Sequence, residues 1–220
     1  GFILGNINPN ASVAEAKRAI EMLNANALSI HVNPAQELTM DEGDRDFSHW
    51  LERIESINSN VNVPVIVKEV GFGMSRFTIN QLQKIGVKNI DVSGKGGTNF
   101  VTIENDRSKE KRFSYLENWG LSTVESLIEA KPFMNKVDIM ASGGIRNPLD
   151  VIKALALGAK AVGLSSVFLK MVHDKTEQEM YEEVDRFIDE LKRIMVLLGK
   201  TNVSDLTETD IIWEGRLRER

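Results

Sequence analysis

The stretch IMASGGIRNPLDVIKALALGAKAVGLSS, residues 139–166, decides the fold. It opens as an apolar strand and breaks at Gly143-Gly144, a pair that can turn the chain tightly. Asn147 is placed to cap a helix, Pro148 stands at its first position, and Gly158 stops it. AVGLSS then reads as the next strand. A strand, a helix and a second strand in this order make a βαβ unit with parallel strands.

The same alternation runs back to the start of the chain. FILGNI, ALSIHV, VPVIVKEV, NIDVSG and KVDIMASGG are short β-type runs. Between them lie helical periods. SVAEAKRAIEMLNA sets Val13, Ala16, Ile20 and Leu23 on one face, with Ser12 as cap. RDFSHWLERIESI groups Phe47, Leu51, Ile54 and Ile57, and SRFTINQLQKIG stops at Gly86. The apolar strands suggest burial on both faces. We count six β/α units. A closed eight-stranded barrel takes ~250 residues, about 30 per unit, and six units would leave two exposed sheet edges. No GxGxxG follows the first strand, so a dinucleotide-type Rossmann fold has no direct support. The expected fold is therefore α/β, a TIM (β/α)8-type barrel with about six of its eight units. Residues 1–220 are expected to form one partial barrel domain that lacks roughly two N-terminal units. A long charged helix at 176–198 is expected to pack outside it through Met180, Val184, Phe187, Leu191 and Ile194.

Composition excludes several classes. Of 220 residues, 42% are apolar and 27% charged, which is ordinary for a globular chain that can bury a core. The net charge of -5 offers no general field for nucleic acid. With no cysteine, disulfides, thiolate metal sites and thiol nucleophiles are excluded. No run reaches membrane-helix length and no signal peptide is visible, so a cytoplasmic protein is expected.

Polar groups collect at the ends of the β-type runs. In barrels the loops after the last two strands commonly hold a phosphate. Gly143 and Gly144 let backbone amides approach an anion, Arg146 can add a charge-assisted bond, and Gly163 with Ser165 can supply the other half. Lys68 closes an apolar run, which is costly without a ligand or a partner such as Glu69. Ser93 and Thr98 flank a turn whose Gly94, Gly96 and Gly97 let backbone lie against something flat. SIHVNPAQELTM, residues 29–40, ends a strand in His31, Asn33, Gln36 and Glu37, more polar groups than a simple turn requires.

HVNPAQE, VKEVGFGMS, DVSGKGGTNF and ASGGIRNPLDVIKALALGA, in this order and spacing, resemble the type 2 isopentenyl-diphosphate isomerases. The resemblance spans essentially the whole chain. It implies an FMN-dependent barrel that interconverts isopentenyl and dimethylallyl diphosphate in isoprenoid biosynthesis. It also implies about two further β/α units before Gly1. By this resemblance Gln36 faces substrate, His31 and Asn33 share its rim, and Glu37 helps hold magnesium. Lys68 contacts the flavin ring, and Ser93 and Thr98 bind flavin oxygens or its side chain. Gly143, Gly144, Arg146, Leu164 and Ser165 hold the FMN phosphate. NADPH as reductant of FMN, a small diphosphate substrate and a homo-oligomer (tetramer or octamer) are implied in the same way.

Two other readings stand beside it. One is an FMN oxidoreductase on the same barrel, such as a 2-hydroxy-acid oxidase. Those place a His beside the Gly turn, where SGKGGTN has Lys95 and Thr98 instead. The other is a non-catalytic flavin- or phosphate-binding barrel. His49, within a helix, and His173 are expected at the surface. FVTIENDRSKEKRFSYLENWG is expected to be a long loop with Trp119 anchoring its end.

Overall fold

The computed structural model describes residues 1–219. Its chain order is β1 (Leu4–Ile7), α1 (Val13–Leu23), β2 (Ala27–His31), α2 (Pro34–Thr39), α3 (Trp50–Asn60), β3 (Val65–Lys68), α4 (Arg76–Lys84), β4 (Asn89–Asp91), α5 (Phe100–Arg107), α6 (Thr123–Ala130), β5 (Asp138–Ala141), α7 (Pro148–Ala156), β6 (Ala161–Val162), α8 (Ser166–Asp174) and α9 (Glu177–Leu197). The strands form one parallel sheet in sequential order, β1-β2-β3-β4-β5-β6. Sequential parallel strands joined by helical crossovers are the topology of a TIM-type barrel. Among the described residues β1 and β6 are its edges.

Register explains which side is core. Ile30, Val67, Ile90 and Ile139 are lateral neighbours across β2 to β5 and are all fully buried. Each contributes about 1.5–3 kcal/mol by leaving water. Successive side chains alternate between faces. The next row, His31, Lys68, Asp91 and Met140, therefore points to the opposite face, and it is only half-buried. Burial on both faces was expected for every strand. The inner face is instead partly open, because no further strands close over it among the described residues.

The helix starts follow capping chemistry. Ser12 and Glu15 form a reciprocal capping box on α1, and Asn147 caps α7 with Pro148 inside the first turn. α9 is capped by Thr176, and Phe187 and Leu191 of its stripe pack against the core. Three expectations are corrected. α3 begins at Trp50, so Phe47 precedes it, and Trp50 rather than Leu51 is buried with Ile54 and Ile57. His49 stands at the cap position and is half-buried, its Nε2 2.9 Å from Asn10 Oδ1; His173 is exposed as expected. The supposed loop after Asn99 contains α5, and Trp119 is 63% exposed rather than a buried anchor. The segment end is held by backbone, with Leu121 N–H donating to Phe72 C=O at 2.8 Å.

Candidate functional site

The half-buried row brings His31, Lys68 and Asp91 side by side at the strands' C-terminal ends, where barrel sites form. Asp91 accepts the Ser142 hydroxyl at 2.8–2.9 Å and the Ser93 amide at 3.1 Å. Burial pushes its carboxyl upward, against the pull of the Ser142 bond. Burial, and then the charge of Lys68, push His31 below its ordinary value. Its imidazole is therefore neutral at pH 7, with Nδ1 3.1 Å from the Asn6 amide nitrogen.

Above this row lies a cavity of about 670 Å³, a size suited to a cofactor. Lys68, Ser93, Thr98, Gly143, Gly144, Arg146, Leu164 and Ser165 all line it. The sequence reading missed Lys170 and Ser166 in the same wall. Lys68, Arg146 and Lys170 line the cavity, and among the described residues no carboxylate does. In a chain of net charge -5 that concentration of cations marks a place for an anion. Much donor capacity is uncommitted. Lys68 Nζ spends one bond on the Glu69 carbonyl at 3.1 Å, and Arg146 spends Nη2 on the Gly96 carbonyl at 2.6 Å. Ser165 precedes α8 without capping it, which leaves its hydroxyl beside the helix's open first-turn amides.

Backbone packing shapes the floor. Gly143 has φ 91°, and a Cβ there would stand 2.0 Å from the Gly94 carbonyl oxygen. Two loops thus cross with backbone against backbone, as only glycine permits. Thr123, the first residue of α6, ties them by donating its hydroxyl to the Ser142 and Gly143 carbonyls at 2.8 and 2.6 Å. Ser93 holds a left-handed φ of 34°, fixed by its amide on Asp91 and by its carbonyl accepting from Gly73 at 3.1 Å. Such strain is held where a site needs a set geometry.

Lys68 and Glu69 form no ion pair. Glu69 is 5% exposed, and its Oε2 accepts the amides of Val70, Gly71 and Phe72 at 2.5–2.7 Å. Burial nonetheless pushes this carboxyl up to about 7. Its raised folded pKa means that the native state keeps a proton which the unfolded chain has already lost. Stability from this group is therefore full below about pH 4.5 and falls as pH rises to about 7, by about 3 kcal/mol in all. Urea unfolding at pH 5 and pH 8 should show this loss in the native chain relative to Glu69→Gln. Equal pH dependence in the two proteins would contradict it.

His31, Asn33, Gln36 and Glu37 do not line the cavity. The last three form a neighbouring cluster on α2. Asn33 Nδ2 donates to Gln36 Oε1 at 3.2 Å and to Glu37 Oε1 at 2.9 Å. Gln36 Nε2 then donates to Glu104 Oε1 at 3.3 Å, and Glu104 is buried and paired with Arg107 at 2.6 Å. Glu104 was missed by the sequence reading. It lies on α5, whose N-terminal Phe100 lines the cavity. Glu37 Oε2 accepts the Asp44 amide at 3.0 Å. Among the described residues no three His, Cys, Asp or Glu gather as a metal cage, and no helix is long and apolar enough to cross a membrane.

Comparison with known proteins fits this geometry. Flavocytochrome b2 solved with benzoylformate superposes with a TM-score of 0.67 at 20% identity, over 93% of this chain and 52% of that one. Mandelate oxidase with benzoyl-formic acid gives 0.59 at 14% identity, over 94% of this chain and 68% of that one. At such identities the likeness concerns the fold alone. Two much more similar relatives carry the name isopentenyl-diphosphate delta-isomerase. That of Latilactobacillus sakei subsp. sakei (strain 23K) is 53% identical over 218 residues, and that of Staphylococcus aureus (strain JH9) is 51% identical over 217. Each match covers 99% of this chain, which spans only 62% of each relative's length. The profile of the FMN-dependent dehydrogenases matches residues 7–214. The chain belongs to the FMN-dependent dehydrogenase family.

Proposed function

We propose that this chain carries the flavin site of an isomerase that interconverts isopentenyl diphosphate and dimethylallyl diphosphate. The observation that carries the reading is the hydrogen-bonded series Asn33–Gln36–Glu104 beside a cation-lined, carboxylate-free flavin cavity. The names of the relatives at 51–53% identity support it. Among the described residues no histidine lines the cavity, which favours it over hydroxy-acid oxidation.

FMN fits the residues present. Lys170, Arg146, Ser165 and the first turn of α8 suit a phosphate dianion, and the glycine-floored middle suits a flat ring system. Lys68 would stand at the ring, where a cation favours negative charge. Bound and reduced by NADPH, FMN would supply proton exchange with the alkene and would stabilise positive charge on carbon, with no net redox change. The protein's own work is orientation and water exclusion. Gln36 would set the substrate's position, with Glu104 and Asn33 fixing its amide from both ends. His31, neutral and half-buried, adds a polar contact on the same rim.

The magnesium reading rests on Glu37. Its two oxygens are each steadied by one donor and retain a lone pair for a cation. Magnesium often takes one carboxylate together with substrate phosphates, so no protein cage is needed. Glu37→Gln should raise the magnesium concentration for half-maximal turnover about tenfold, with FMN affinity unchanged. An unchanged magnesium titration would remove Glu37 from the metal site.

The deciding assay is anaerobic, with FMN, NADPH, magnesium and isopentenyl diphosphate in heavy water, followed by NMR. It is run on this chain and on a chain restored to the relatives' full length. Deuterated dimethylallyl diphosphate, without NADPH use beyond flavin reduction, is the expected result. FMN binding seen by absorbance, with no conversion by either protein, would defeat the reading.

A further inference from the structure

A second cavity, of about 660 Å³, opens on the outer side of the sheet between α2, α3 and α4. It belongs to neither the flavin site nor the Gln36 cluster. Five aromatic rings line it: Phe47, Trp50, Phe72, Phe77 and Trp119. Phe77 and Trp119, at 73% and 63% exposure, are large apolar groups left facing water at its mouth. Among the described residues Glu69 is the only ionisable one in the lining. Its carboxylate is also half-used. All three amide donors go to Oε2, and no hydrogen bond reaches Oε1 among the described residues. Oε1 is not one of the buried atoms left without a partner, which among the described residues are Ser29 Oγ and Thr209 Oγ1, so it keeps an open side and can accept a donor from a ligand. A wall of π-faces around a single acid matches one ligand chemistry closely, because ring faces and carboxylates both attract a cation. Among the described residues no lining group is cationic, so none of them would pair with an anionic ligand.

We propose that this outer cavity is a second ligand site, which binds an apolar amine with its ammonium on Glu69 Oε1 and its hydrophobic body among the aromatic rings. The volume lies within the range of small-molecule pockets. The site also shares its walls with the functional region. Pro34, Ala35 and Leu38 of α2 line it, on the helix that carries Gln36 and Glu37. Phe72 and Gly73 line it as well, directly after the Val70 and Gly71 of the flavin cavity.

The test is calorimetric titration of the chain at pH 8 with three probes of one shape: 2-phenylethylamine, 2-phenylethanol and phenylacetate. The amine should bind about tenfold or more tightly than the alcohol, and phenylacetate should not bind, because a bond to a charged acceptor outweighs a neutral one. Glu69→Gln keeps the side chain's shape and an oxygen for the three amides, but turns a donor toward the amine. It should lose about tenfold or more in amine affinity. Phe77→Ala changes only an exposed rim ring and should weaken the amine about threefold, which keeps the test decisive if Glu69→Gln folds poorly. Equal affinity for amine and alcohol, or unchanged affinity in both variants, overturns the proposal. So does absence of amine binding together with self-association, seen by sedimentation, that Phe77→Asp abolishes; the cavity would then be a contact between copies.

Discussion

Replacing Gly143 with alanine is expected to lower the melting temperature by about 5–20 °C and to abolish measurable FMN binding. Two costs combine. The residue sits at φ 91°, where a side chain strains the backbone by about 1–3 kcal/mol. The new Cβ would also stand 2.0 Å from the Gly94 oxygen and 2.8 Å from the Gly94 nitrogen. Both are backbone atoms, so no flexible side chain can swing aside. Gly94 cannot retreat cheaply either, because its amide donates to Ser142 C=O at 2.9 Å while Thr123 holds the Gly143 carbonyl. Overpacking of this kind adds about 1–3 kcal/mol. The loops would have to part, and they are the floor that presents Gly144 and Arg146 to the cavity. Gly199→Ala is the matched control. It also has a positive φ, 67°, but nothing lies within 4 Å of the new methyl group. It should cost about 1 kcal/mol and leave FMN affinity intact. Calorimetric melting and flavin fluorescence titration read both variants. A Gly143→Ala protein that melts near the native temperature and still binds FMN would mean that the two loops do not cross as described.

The cation-lined cavity was legible in the sequence because its signals are local. Each strand end announces itself by an apolar run that stops at glycine or at a lone polar residue, and the topology then brings those ends together. Gly143-Gly144, Lys68 and the Ser93–Thr98 turn needed no knowledge of long-range pairing to be singled out. α6 was overlooked although Ser122 and Glu125 form a capping box that is readable as S-x-x-E. α5 was hidden for a different reason. Its buried positions include Glu104 and Asn105 beside Val101, so the apolar period that marks a helix is missing. Those residues are buried because they bond to distant groups, Glu104 to Gln36 across 68 positions and Asn105 to Glu117 and Phe113. Glu69 misled in the opposite direction. Its place beside Lys68 suggested an ion pair, whereas three amides of the following turn hold its carboxylate more tightly than one flexible ammonium could. Local chemistry can be read along the chain. Partnerships made by folding cannot.

Gln36 and Glu104 offer the sharpest test of such a partnership. Gln36→Ala is expected to reduce kcat about 10²–10³-fold while FMN affinity stays native, because a group that orients reacting atoms is felt in the transition state. Glu104 touches Gln36 and does not line the cavity, so by the proposed reading it is a positioning residue. Glu104→Ala should approach the same loss in kcat by freeing the Gln36 amide to rotate. Its stability cost should stay modest, since the partner left behind, Arg107, is an exposed guanidinium that water can solvate. Glu104→Gln keeps an acceptor for Gln36 Nε2 and should recover much of the activity, which a purely ionic role would not allow. The double variant Gln36→Ala/Glu104→Ala decides the matter. If the two act as a unit, its kcat falls little below that of the slower single variant, with a coupling energy of about 3 kcal/mol. If the two losses multiply, Glu104 works independently of Gln36. The hydrogen bond between them would then be incidental, and the series Asn33–Gln36–Glu104 could no longer carry the functional reading.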